Sequence, residues 1–201
     1  MRTDGGRPGF ATHGIGSDHP MTWTLRRAEP GDVETIADLR ATVMRPDLQR
    51  LGRFDEHRVR QRFRDAFSPD HTSVIETDGD FAGCVTFRPG EDAWWFEHFY
   101  LAQELHGRGL GSAVLRELLE RSDAEGLTIR LNVLQGSAAQ RLYERHGFTV
   151  ETEDPVDVFM VREPAASTAY ASRGGCGLDR APDPVVAAGC QDLARHARRG
   201  P

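Results

Sequence analysis

Residues 101–112 read Leu101-Ala-Gln-Glu-Leu-His106-Gly107-Arg108-Gly109-Leu110-Gly111-Ser112, with three glycines at alternate positions between a strand-like and a helix-like segment. Glycine allows sharp bends and a close approach of the backbone to a ligand. The first N–H groups of the following helix have no partner within that helix. Because these amides and the helix dipole both favour negative charge, the turn is suited to hold a phosphate. A tight strand-to-helix connection without a ligand is the alternative.

The pattern of apolar residues around this turn predicts alternating strands and helices. Before it we expect a strand over 23–27, a helix starting at 30–32 and carrying its apolar stripe to 43, a polar connection over 45–52, a helix over 55–67, and strands over 73–77, 81–87 and 93–101. After it we expect a helix that ends at Gly126, a strand over 129–134, a helix over 137–146, and strands over 149–153 and 156–162. This order predicts a mixed α/β sheet with helices on its faces.

Composition bounds the class of protein. The chain has 201 residues, a formal net charge of −6 and three cysteines. The negative charge argues against a nucleic-acid-binding protein, and an odd, irregularly spaced set of cysteines argues against a disulfide framework or a zinc site. No apolar run approaches the roughly 20 residues of a membrane helix, and no secretory signal is present. We therefore expect a cytoplasmic protein with a disordered leader over 1–20, one domain over 21–163 and a low-order tail over 164–201.

A second segment gives the glycine turn a more specific meaning. Alone, the turn is a weak signal, because it lacks both the spacing of a dinucleotide fingerprint and the Lys-Ser/Thr of a P-loop. About 25 residues downstream stands Ser137-Ala-Ala-Gln-Arg-Leu-Tyr143-Glu-Arg-His-Gly-Phe148. Together the two segments resemble the GNAT superfamily of N-acetyltransferases. The first matches that family's acetyl-CoA loop, (Gln/Arg)-x-x-Gly-x-(Gly/Ala), and the second its Asn-x-x-Ala-x-x-Leu-Tyr-Glu-x-x-Gly-Phe segment.

The resemblance covers residues 23–160 and implies both a fold and a co-substrate. The fold would be a mixed, mostly antiparallel sheet of six to seven strands flanked by about four helices. The co-substrate would be acetyl-CoA, bound without a metal by residues of the strand end, the glycine turn and the second segment: Phe99, Tyr100, Leu101, His106, Gly107, Arg108, Gly109, Leu110, Gly111, Ser112 and Ser137. His106 stands where the family has Gln or Arg, and Ser137 stands where it has Asn. The spacing of Ser137 and Gln140 still predicts a capping box at the helix start.

Three residues are candidates for the chemistry of acetyl transfer to an amine. Tyr143 matches the family's tyrosine that protonates the sulfur of CoA; packing in the core is its alternative role. An alkyl amine with a pKa of about 10.4 needs a base at neutral pH. Glu97 and His98, in the strand before the turn, are the two candidates, and either could instead be an ordinary strand residue. Strand alternation predicts Glu97 and Phe99 on one face, with His98 on the other.

The amine acceptor is the least specified part of the prediction. It could be a small molecule or a peptide, shaped by residues 45–67 and 154–157, with Arg45 or Arg53 available for a carboxylate. A homodimer is compatible with the family, and neither nucleic acid nor a membrane is expected as a partner. One alternative is a regulatory module that binds acetyl-CoA without catalysis, and another is a different nucleotide-binding α/β protein.

Overall fold

A computed structural model describes residues 22–165, so the predicted leader and all but two residues of the predicted tail lie outside the described part. Within it the elements run β1 (Trp23–Arg27), α1 (Val33–Arg50), α2 (Glu56–Ala66), β2 (Thr72–Thr77), β3 (Asp80–Pro89), β4 (Trp94–Leu101), α3 (Leu110–Glu125), β5 (Ile129–Leu134), α4 (Ala138–Arg145), β6 (Thr149–Glu153) and β7 (Asp157–Arg162). No helix among these is long and apolar enough to cross a membrane.

The strands form one seven-stranded sheet in the order β1-β2-β3-β4-β5-β7-β6. All neighbours are antiparallel except β4 and β5, which are parallel. The predicted mixed, mostly antiparallel sheet with four helices is confirmed. Strands β4 and β5 pair only at Trp94 with Ile129 and at Trp95 with Arg130, and then part. Their C-terminal ends therefore leave a gap, which is where open α/β sheets bind ligands.

Each face of the sheet carries its own apolar core. On one face, α3 and α4 pack over the centre of the sheet through Val114, Leu115 and Tyr143. On the other, Ile36 of α1 and Phe63 of α2 cover the N-terminal strands. Strand β4 contributes to both cores, through Phe96 on one face and Tyr100 on the other.

Helix α1 is longer than predicted, since residues 45–50 continue the helix instead of forming a polar connection. Pro46 lies inside it, although proline removes one helical hydrogen bond. Packing offsets this loss. The guanidinium of Arg45 lies 4.5 Å from the centre of the Phe54 ring, and Leu48 is buried against Val59 of α2.

Strand β4 contains a bulge close to the point where it parts from β5. The register with β3 shifts between residues 97 and 100, so His98 and Phe99 lie opposite a single residue of β3. His98 has a positive φ of 50°, which is uncommon for a residue with a side chain. An extra residue of this kind bends the strand and redirects the side chains beyond it.

The bulge overturns the predicted faces of β4. Phe96 and Phe99 meet edge to face with ring centroids 5.3 Å apart, on the side of α3 and α4. Glu97 points to the opposite side by alternation, and the ring of His98 lies 5.1 Å from that of Phe63 in α2. The predicted grouping of Glu97 with Phe99, and its separation from His98, is wrong because the inserted residue shifts the alternation by one.

Candidate active site

The glycine turn has the backbone shape that an anion site requires. Gly107 and Gly109 have φ values of 75° and 84°. The first hydrogen bond of α3 runs from the N–H of Ala113 to the carbonyl oxygen of Gly109 over 3.0 Å, so the preceding amides of the first turn have no helical partner. A pocket of about 230 Å³ lies beside the turn, lined by Trp23, Arg108, Gly109, Leu110 and Ala113. The turn therefore offers free N–H groups and one guanidinium to a phosphate.

Two further residues hold this turn against the end of β4. The ring Nε2 of His106 lies 2.9 Å from the carbonyl oxygen of Leu101, and because a carbonyl only accepts, Nε2 carries the hydrogen. A Cβ added to Gly111 would lie 3.3 Å from the Leu101 side chain, so the start of α3 sits close to the strand. His106 thus fastens the turn to β4, a contact that its sequence position did not predict.

The capping box predicted at the start of α4 is absent. Ser137 occupies the N-cap position, but its side chain makes no capping hydrogen bond. Gln140 instead donates to the carboxylate of Glu144 over 3.0 Å. The hydroxyl of Ser137 is buried without a hydrogen-bond partner in the described residues. A buried polar atom of this kind calls for a ligand or solvent partner, and this one lies shortly after the C-terminal end of β5, at the start of α4.

Tyr143 is a buried member of the core under α4. Its ring meets Phe96 and Phe148 edge to face, with centroids 6.0 and 5.7 Å away. Burial, with a smaller contribution from Tyr100, raises the pKa of the phenol well above its usual value. The phenol therefore keeps its proton at neutral pH, as a proton donor must, and gives it up less readily than a tyrosine in water.

Glu97 lies on the α1–α2 side of β4 and is held by an ion pair. Its carboxylate accepts two hydrogen bonds from the guanidinium of Arg88 in β3, at 2.7 and 3.0 Å. The Glu97 side chain is only 7% exposed, so this two-point pair fixes its orientation. A carboxylate has about four lone-pair sites, and two of them serve this pair.

His98 lies beside Glu97 in a cationic environment. Its Nδ1 lies 3.4 Å from the guanidinium of Arg40 and 3.3 Å from the Tyr100 hydroxyl. Since a guanidinium only donates, Nδ1 is the accepting nitrogen. Burial, together with the charge of Arg40, lowers the pKa of His98 from 6.5 to about 4. His98 is therefore neutral at pH 7 and a weak base.

The other predicted residues divide between the two cores and the surface. Phe99 and Leu101 pack on the core that holds Tyr143, Tyr100 packs on the core under α1 and α2, and Ser112 lies in the first turn of α3. The sequence interpretation missed Arg40 and Arg88. An arginine on the apolar stripe of α1 was the available signal for Arg40, whereas Arg88 needed the strand register.

Family comparison identifies the class of protein to which this site belongs. The model of the acetyltransferase (GNAT) family matches residues 35–148, which is more than half of the 201-residue chain. The chain therefore belongs to the GNAT acetyltransferase family, and the prediction from the two sequence segments is confirmed. No curated protein matches the chain significantly in sequence.

Solved structures share the fold at low sequence identity. The PaiA N-acetyltransferase of Thermoplasma acidophilum, in complex with coenzyme A, has a TM-score of 0.59 and 18% identity over 71% of this chain and 99% of that one. The ribosomal-protein-S18-alanine N-acetyltransferase of Escherichia coli has a TM-score of 0.54 and 18% identity over 76% of this chain and 100% of that one. Nearly the whole length of each of these two structures aligns with this chain, so the described residues contain all of the fold that the two structures share.

Proposed function

We propose that the protein is an N-acetyltransferase that moves an acetyl group from acetyl-CoA to a primary amine of a small molecule or peptide. The observation that carries the proposal is the gap between β4 and β5. The glycine turn follows the C-terminal end of β4, and Ser137, whose hydroxyl has no partner in residues 22–165, follows that of the parallel strand β5. The amine would attack acetyl-CoA directly in a ternary complex.

The residues around the gap suit acetyl-CoA. The amides from residue 107 to 112 and the guanidinium of Arg108 would hold its pyrophosphate, and the hydroxyl of Ser137 would bond to its pantetheine arm. The backbone of 99–101 would run beside that arm like a neighbouring strand. Acetyl-CoA supplies an acetyl group activated as a thioester. The PaiA structure, solved with coenzyme A, supports this assignment at the level of the fold.

Glu97 is the proposed base that takes the proton from the amine, through water where the distance requires it. It lies beside the bulge and is held in place by its ion pair with Arg88. His98 is the second candidate. Its pKa of about 4 makes the imidazolium unfavourable at neutral pH, so it fits the task less well.

Tyr143 is the proposed donor of a proton to the departing thiolate. Its phenol stays protonated at neutral pH because burial raises its pKa. It lies on the α3–α4 side of β4, whereas Glu97 lies on the other side. The base would take a proton from the attacking amine on one side of β4, and Tyr143 would give one to the departing sulfur on the other.

A panel of primary amines tests the proposal. Release of free thiol from acetyl-CoA should depend on the amine, and mass spectrometry should find an acetylated product. Calorimetric binding of acetyl-CoA without thiol release from any amine would favour the regulatory module instead. Tight binding of ATP or NAD with no binding of acetyl-CoA would reject both interpretations.

A further inference from the structure

Arg40 is a buried cation without a matching anion in the described part of the chain. It lies on α1, is only 9% exposed, and its Nε has no hydrogen-bond partner among residues 22–165. Its Nη1 lies 3.4 Å from Nδ1 of His98, and its guanidinium carbon lies 5.9 Å from the centre of the Tyr100 ring. No carboxylate of residues 22–165 forms an ion pair with it. Burying a charge without a partner is costly, so this guanidinium lowers the free energy of unfolding.

The surroundings of Arg40 increase the local positive charge. Burial, followed by the charges of Arg58 and Arg40, lowers the pKa of Arg62 on α2. The same charge of Arg40 contributes to the low pKa of His98. Neutral His98 and two arginines thus occupy one side of the β4 bulge.

Two carboxylates in this region already have other contacts. Glu97 accepts two hydrogen bonds from Arg88. Asp157 accepts a bond of 3.4 Å from the side-chain amide of Asn132, and the positive charge that opposes the burial-driven rise of its pKa is that of Arg62. Among residues 22–165, neither carboxylate forms an ion pair with Arg40.

We propose that Arg40 binds a carboxylate of the amine acceptor, so that the substrate class is a small primary amine of the amino-acid type. A guanidinium has a planar set of donors that matches the two oxygens of a carboxylate. The guanidinium of Arg40 lies beside the bulge, with Nη1 3.4 Å from Nδ1 of His98, and the proposed base Glu97 is the neighbouring residue of β4. The inference rests on the proposed acetyl transfer and narrows its acceptor. Arg45, one of the two arginines that the sequence suggested for a carboxylate, stacks on Phe54 and pairs with Glu56.

This inference can be tested with pairs of substrates that differ only in the carboxylate. Amino acids and their amides are compared as acceptors for the wild-type protein, Arg40→Met and Arg40→Lys. The ratio of kcat/KM for acid over amide is taken for each protein, and the wild-type ratio is divided by that of the variant. This quotient cancels the different intrinsic reactivities of the two amines. We expect a quotient of roughly 10 to 100 for Arg40→Met, the range of a charge-assisted hydrogen bond, and a smaller one for Arg40→Lys.

Two controls separate recognition from folding. Arg116→Met, at an exposed arginine of α3, should give a quotient near one. Urea denaturation should show Arg40→Met at least as stable as the wild type, because the change removes an unpaired buried charge and keeps the apolar stem. An arginine with a purely structural role would lower stability on substitution and leave the quotient near one.

A binding measurement keeps the inference apart from the proposed reaction. Each amino acid of the panel is titrated calorimetrically into the protein saturated with CoA. Binding by the wild type and loss of binding in Arg40→Met support the inference even if no amine is acetylated, in which case only the proposed reaction fails. Acetylation of amides with a quotient near one, or no binding of any amino acid by the wild type, would overturn the inference.

Discussion

Replacing Gly109 by alanine tests whether the glycine turn builds the co-substrate site. Gly109 precedes α3 with a φ of 84°, and a Cβ added there meets no heavy atom within 4 Å. The substitution therefore introduces backbone strain without a steric clash. It also leaves the charge of the turn unchanged, so any effect on CoA reports on backbone conformation.

The size of the effect follows from the cost of a left-handed residue. For alanine this cost is about 1–2 kcal/mol. If the turn of the variant keeps its left-handed shape in the absence of CoA, the free energy of unfolding falls by that amount and CoA binding is unchanged. If the free turn relaxes, the cost appears on binding, and the Kd for CoA rises roughly 5- to 30-fold. We expect the two losses to sum to about 1–2 kcal/mol, with the larger share on binding because residues 106–109 are exposed.

Isothermal titration with CoA measures the loss in binding, and urea denaturation measures the loss in the free energy of unfolding. Gly79→Ala is a matched control, since Gly79 also has a positive φ, of 91°, and open space around its Cβ, but lies in the β2–β3 turn. It should lose comparable stability and keep the Kd for CoA. The reasoning is refuted if Gly109→Ala changes neither quantity, or if Gly79→Ala weakens CoA binding to the same extent.

Three further predictions concern the strand and the helix beside the gap. Tyr143→Phe should lower turnover at saturating acetyl-CoA roughly 100-fold or more with an unchanged Kd for CoA; unchanged turnover would remove the proton-donor assignment. His98 should titrate in NMR near pH 4. In the unfolded chain it should titrate at about pH 6.5, so the unfolded state binds more protons between these two values. The free energy of unfolding should therefore rise with pH across this range. His98→Gln should show a shallower rise in urea denaturation across that window, and an equal slope would contradict the buried, cationic setting. Gly83→Ala should destabilise the protein by about 1–3 kcal/mol, because its Cβ would lie 2.2 Å from the carbonyl oxygen of Tyr100; Gly31→Ala, with open space, is the control, and equal losses for both would argue against close packing of β3 on β4.

Local signals were sufficient for most of the fold. Strand β5 begins and ends where its apolar alternation predicts, and α3 ends at Gly126 in the left-handed conformation that favours glycine there. Helix α1 shows where local signals fail. Pro46 predicts an end near residue 45, but the contact of Arg45 with Phe54 comes from a residue beyond the helix. Contacts between elements decided that boundary, and the local pattern does not contain them.

The site depends on such contacts more strongly than the fold does. Residue type made Glu97 and His98 candidates in the sequence, yet their predicted faces were wrong because one extra residue in β4 reverses the alternation. The partners that set their chemistry, Arg88 and Arg40, come from a neighbouring strand and a helix packed above it. Whether an arginine on an apolar stripe finds a carboxylate is a property of the packed structure. Arg40 forms no ion pair within residues 22–165, and this missing partner is the basis for proposing that it binds the carboxylate of the acceptor.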